Sequence, residues 1–114
     1  VGQPSDHYID LFWARMMPYL TQVKPGQRLE YRLLLRNNLG KKATYQARLI
    51  VPIGWQASDQ FAEVSIQAEE SAELKLIATA PPVSDGIRRL MTAEICIEGT
   101  SQGPVVESLV TVHD

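Results

Sequence analysis

From Arg28 to the end of the chain, apolar and polar positions alternate in short runs broken by Pro, Gly and Asn. Arg28–Arg36 places Leu29, Tyr31, Leu33 and Leu35 on one face and Glu30, Arg32 and Arg36 on the other. That period of two is expected of a strand with one face buried. Ala43–Val51 repeats it, with Tyr45, Ala47, Leu49 and Val51 set against Thr44, Gln46 and Arg48. A shorter run, Ala62–Gln67, puts Val64 and Ile66 on one side, and Ser71–Thr79 opposes Ala72, Leu74, Leu76 and Ala78 to Glu73 and Lys75. Ile87–Glu98 turns Met91, Ala93, Ile95 and Ile97 inward against Thr92, Glu94, Cys96 and Glu98, and Val105–His113 reads as the last strand. Between the runs stand Asn37–Lys41, Pro52–Gln56, Pro81–Gly86 and Gly99–Pro104. These are turn segments, with Asn and Gly supplying positive φ and Pro ending a ladder. The pattern predicts an all-β chain, and one more strand from the N-terminal segment gives about seven antiparallel strands, an immunoglobulin-like β-sandwich.

The N-terminal segment does not fit so simply. Asp6–Leu20 contains Tyr8, Phe12, Trp13, Met16, Met17 and Tyr19. As a strand it puts Tyr8, Asp10, Phe12, Ala14 and Met16 on one face and Ile9, Leu11, Trp13, Arg15 and Met17 on the other, and both faces are substantially apolar. As a helix it aligns Ile9, Phe12, Trp13, Met16 and Leu20, with Ser5 or Asp6 as cap. Pro18 and the middling helix formers Tyr, Ile, Phe and Trp favour the strand, with a kink at Pro18 that lets Tyr19–Val23 continue or switch sheets. A lone sandwich buries one face of such a strand. The surplus marks Tyr8, Phe12, Trp13, Met16, Met17 and Tyr19 either as core or as a candidate interface with a preceding catalytic domain or a second copy of the chain.

Composition narrows the partners. The chain has 114 residues, a one-domain length, and reads as a single domain, 1–114, excised from a larger protein. Its net charge of −2 is spread along the sequence, so nothing in it argues for nucleic acid or for an anionic membrane surface. No apolar run approaches the roughly 20 residues of a bilayer-spanning helix. The one cysteine, Cys96, excludes an internal disulfide; it shares the polar register with Glu94 and Glu98, two carboxylates that disfavour a thiolate. His7 and His113 sit near opposite ends, and no metal-ligand or nucleophile motif is present, so no catalytic residue, cofactor or metal is expected. Asp59, Glu63, Glu69, Glu70 and Glu73 lack the spacing of a calcium loop and read as a solvated acidic edge.

The punctuation resembles that of a known family. Val23-Lys-Pro-Gly-Gln27, Arg36-Asn-Asn-Leu-Gly40, Val51-Pro-Ile-Gly-Trp55 and Ala80-Pro-Pro with Asp85-Gly86 occur in the order seen in bacterial immunoglobulin-like accessory domains. They are similar in particular to the alpha-galactosidase-associated (NPCBM-associated) β-sandwich, over roughly Pro18–Val112. The resemblance implies a non-catalytic module beside a hydrolase, with a glycosidase as first guess and a metallo-β-lactamase-type hydrolase as another. It leans towards an extracellular or cell-surface setting. Carbohydrate is the second candidate partner. Trp55 is a possible stacking platform, with Gln56 and Asp59, and Ser58 and Gln60 nearby, to bind hydroxyls. Its place after Pro-Ile-Gly favours the other reading, in which the indole folds back and plugs the sandwich.

Overall fold

A computed structural model describes residues 13–114. Among them nine strands follow in order: β1 (Ala14–Met17), β2 (Leu20–Val23), β3 (Arg28–Arg36), β4 (Ala43–Ile50), β5 (Gln56–Ala57), β6 (Ala62–Ile66), β7 (Ser71–Thr79), β8 (Arg88–Ile97) and β9 (Thr100–Val112). They form two sheets, one ordered β1-β3-β7-β5 and the other β2-β9-β8-β4-β6. This is the immunoglobulin-like sandwich that the alternation predicts, with two strands more than expected.

Both extra strands have a local cause. The N-terminal run divides at Pro18, so β1 lies antiparallel to β3 in one sheet while β2 joins the edge of the other. The Met17–Pro18 peptide at the crossing is cis. Because β2 runs parallel to β9, the sandwich is not wholly antiparallel. Over Ala14–Met17 the helical alternative is overturned, since the backbone ladder to β3 takes its hydrogen bonds. The second addition is β5, two residues pairing Gln56 with Thr79 and Ala57 with Ala78.

The core forms where the inward faces meet, from Tyr31, Leu33 and Leu35 on β3 to Tyr45, Ala47, Met91, Ala93, Ile95 and Val110 on the opposite sheet. Those on β3, β4 and β8 all lie on the register that alternation assigns to the interior, because a strand covered on one side has no other way to hide apolar area. Tyr31 adds a polar atom to this layer. Its hydroxyl is buried with no hydrogen-bond partner within 3.5 Å among the described residues, and burial pushes the phenol up. Tyr31→Phe removes an orphaned group without opening a cavity. The unfolding free energy is expected to hold or to rise by about 1 kcal/mol. Urea titration of the two proteins checks this, and a clear loss would mean that the hydroxyl is satisfied.

Two turns end differently from their sequence expectation, and a third keeps to it. The segment Gly99–Pro104 is not a loop: the turn is Glu98-Gly99 alone, and Thr100 already pairs with Ile97. Glu98 and Gly99 both have positive φ (52° and 81°), the conformation of a type I′ hairpin. Glu98 takes that strained position while bonding Thr44 through both its backbone N–H and its carboxylate. Asn37–Lys41 turns without positive φ at Asn or Gly, since the positive-φ residues are Gly26, Gly54, Glu69, Gly86, Glu98, Gly99 and Gly103. Asn37 acts through its amide instead. Pro52–Trp55 closes with Trp55 N–H on the Pro52 carbonyl at 3.1 Å and Gly54 at φ 88°, the signature of a type II turn. A Cβ on Gly54 would also meet Pro81 at 3.3 Å. Lys24–Gln27 makes the same kind of turn with Gly26 at φ 75°, and the Gly26 N–H reaches the Pro81 carbonyl at 2.9 Å. The Pro-Gly, Pro-x-Gly-Trp and Ala-Pro-Pro segments therefore converge on one end of the sandwich.

Candidate interface

The crossing from β1 to β2 sets several large apolar side chains in solvent, as Ile53 and Val83 are set elsewhere. Alternation buries Ala14 and Met16 of β1 and leaves Arg15 and Met17 outside. Tyr19, between the strands, is 67% exposed and Leu20 is 57% exposed. The backbone that presents them is held firmly. Ser108, fully buried on β9, donates to the Pro18 carbonyl at 2.6 Å and lies 3.1 Å from that of Tyr19, which also accepts the Leu109 N–H at 2.9 Å. Apolar groups are thus displayed on a fixed edge, a pre-organised surface whose ordering cost is already met.

The predicted interface residues separate accordingly. Met17 and Tyr19 are exposed and flank Pro18, whereas Met16 belongs to the core. Trp13 is half-buried: it precedes β1, escapes the strand alternation, and packs at 6.0 Å against the Tyr45 ring with a 51° tilt. Beside it lies an open cleft of about 320 Å³, also lined by Leu39, Ile97, Arg36 and Gln102. Tyr8, Phe12 and His7 lie outside the described residues.

Sequence reasoning missed the extension of this surface. Leu20 pairs with Leu109, and Leu109 with Leu90, so three leucines form a row across the outer face of the five-stranded sheet. Leu90 is 48% exposed. The signal was available, because Leu90 and Leu109 both fall on the polar register of their strands.

At the far end, Trp55 is only 6% exposed and part of the core, so the indole plugs the sandwich and offers no stacking face. The type II turn aims it inward. Gln56 sits on β5, and Asp59 lends its carbonyl to Arg48 at 3.2 Å. Arg48 also pairs with Glu94 at 3.0 Å and stacks 4.8 Å from the centre of the Phe61 ring. The neighbouring cleft, about 290 Å³, is lined by this engaged guanidinium, Phe61, Gln60 and Lys75. The charge of the Arg48 guanidinium is already spent.

The acids are dispersed in the same way. Glu73 pairs with Arg32 at 2.9 Å and Glu69 with Arg36 at 3.4 Å, and among the described residues no group of three or more His, Cys, Asp and Glu assembles. Hydrogen bonds from Ser101 and then Arg48 hold the Glu94 carboxyl below its usual range; the Arg32 hydrogen bond does the same for Glu73, and that of Arg89 for Asp85. Exposed pairs of this kind contribute little to stability and carry no unusual reactivity. Cys96 departs from its expected exposure: although it points outward between Gln46 and Ser101, it is buried. The β8–β9 register is irregular between Ala93 and Cys96, immediately before it.

No protein-family model matches the chain, and no curated protein resembles it in sequence. Solved structures do resemble it. WR4, an MSP family member of C. elegans, has a TM-score of 0.56 at 8% identity, over 89% of this chain and 98% of that one. SSP-19, an MSP-domain-like protein of the same animal, gives 0.52 at 10% identity, over 88% and 99%. A FixG-related protein from Vibrio parahaemolyticus gives 0.52 at 12% identity, over 78% and 82%. At such identities side-chain chemistry is not shared and backbone architecture is. The likeness therefore establishes one thing: this chain has the immunoglobulin-like β-sandwich fold of which these MSP domains are examples.

Proposed function

We propose that the chain is a non-catalytic docking module of the bacterial accessory kind, related to the alpha-galactosidase-associated sandwiches that its turn motifs resemble. It packs against a neighbouring hydrolase-type domain through the β1–β2 crossing. The observation that carries this reading is the exposure of Met17 and Tyr19 on a backbone pinned by Ser108. Covering a large apolar side chain is worth about 1.5–3 kcal/mol, and a rigid presentation loses little of that to ordering. The carbohydrate reading loses its platform with the burial of Trp55.

A photoreactive phenylalanine analogue at position 19, in the intact natural protein, tests the reading. The expected result is a defined crosslink to another domain of the same polypeptide, stronger than from position 75, which lies on the charged outer face of the other sheet. Equal, diffuse labelling from both positions would refute it.

A further inference from the structure

We infer that the outer face of the five-stranded sheet is a docking site for a second copy of this chain. This surface goes beyond the crossing at Tyr19, and its occupant is a different one.

The two outer faces differ in kind. On the four-stranded sheet each row across the strands carries charge, as in Arg15–Leu34–Glu73 and Met17–Arg32–Lys75. On the five-stranded sheet the row Leu20–Leu109–Leu90 crosses three strands without a polar side chain. Such a row placed against water is the feature that sheet-on-sheet packing removes.

The charges beside the row select the partner. One row further along stands Arg88, two residues from Leu90; on the opposite side stands Glu107, two residues from Leu109 and paired with Thr92. Neither Arg88 nor Glu107 has an ion-pair partner among the described residues. A two-fold axis lying along the leucine row stacks the row on its own copy and exchanges the two flanks. Arg88 of one copy then faces Thr92 of the other, one strand spacing, about 4.8 Å, from that copy's Glu107. An arginine side chain spans that step. The face is therefore complementary to itself, apolar along the axis and oppositely charged on either side, as an isologous interface requires.

Sedimentation velocity of the whole chain across a wide concentration range tests the inference. The expected result is a concentration-dependent species of twice the 12.7 kDa chain mass. Leu90→Glu is expected to leave only monomer, with Leu20→Lys as the second variant should the first fail to fold. Arg88→Glu is expected to weaken association about tenfold, and adding Glu107→Arg to restore it. A wild-type chain that stays monomeric, a dimer that survives both leucine variants, or a double reversal that fails to restore association would each overturn it. A crosslink from position 19 to another domain, with a monomeric chain, would leave the docking module standing and remove the second copy.

Discussion

Asn37→Ala is expected to cost about 3–5 kcal/mol of unfolding free energy, a loss usually reserved for large core residues. Asn37 is fully buried, and nothing about it is left unpaired. Its amide nitrogen donates to the carbonyls of Lys41 and Ile66, both at 2.8 Å. Its amide oxygen accepts from the Leu39 N–H at 2.9 Å and the Tyr45 hydroxyl at 3.1 Å. Its backbone N–H and carbonyl bond Glu70 and Glu69, each at 2.8 Å. One side chain thus ties the β3–β4 turn, the end of β6 and a core tyrosine together. Alanine would strand the Ile66 carbonyl and the Tyr45 phenol in a buried place and take the partner of the Lys41 carbonyl and the Leu39 N–H in the part-buried turn. Asn37→Asp should be no milder at neutral pH, because a carboxylate would face two carbonyl oxygens. Urea unfolding of each variant, with Tyr45→Phe as the other arm of a double-mutant cycle, measures the effect. A loss below about 1 kcal/mol for Asn37→Ala would mean that water replaces the amide.

Trp55→Ala should cost a similar amount, about 3–5 kcal/mol, since it empties the end of the sandwich where three turns meet. The informative comparison is Tyr19→Ser. Tyr19 is also a large aromatic, yet it is mostly in water, so its removal should shift the unfolding free energy by no more than about 0.5 kcal/mol. Thermal and urea melts of the two variants side by side decide this. Equal losses would mean that the crossing at Pro18 is part of the fold's stability rather than a surface held ready for a partner. Trp13 falls between these limits, because its ring is partly spent on Tyr45.

Much of the sandwich was legible in the order of residues. β3 and β7 begin and end where alternation puts them, because each has one buried face and a clear stop. The crossing of the N-terminal run between sheets was readable from Pro18, which cannot serve a ladder as donor. What could not be read is tertiary. A two-residue strand such as β5 has no period to detect. Cys96 looks exposed from its register and is buried beside an irregular stretch of the β8–β9 ladder, which alternation does not reveal. Asn37 looks like an ordinary turn residue, since its partners Ile66 and Tyr45 come from remote segments. The surface row of leucines was hidden by attention to inward positions, although Leu90 and Leu109 break the polar side of their own strands.

The split of the N-terminal run has a further result, for solubility. By entering one sheet as β1 and the other as β2, the first few residues of the sandwich cap the open edge of β3 and that of β9 on the same flank. Uncapped strand edges recruit other chains by their free N–H and C=O groups. On the opposite flank β5 covers β7 only at Ala78 and Thr79, and β6 carries Glu63 outward. A chain cut just before Leu20 would lose β1 and bare the edge of β3 over Arg32–Leu35. Such a piece would keep most of its core and still be drawn into aggregates, so the leading strand acts as a guard against self-templated growth.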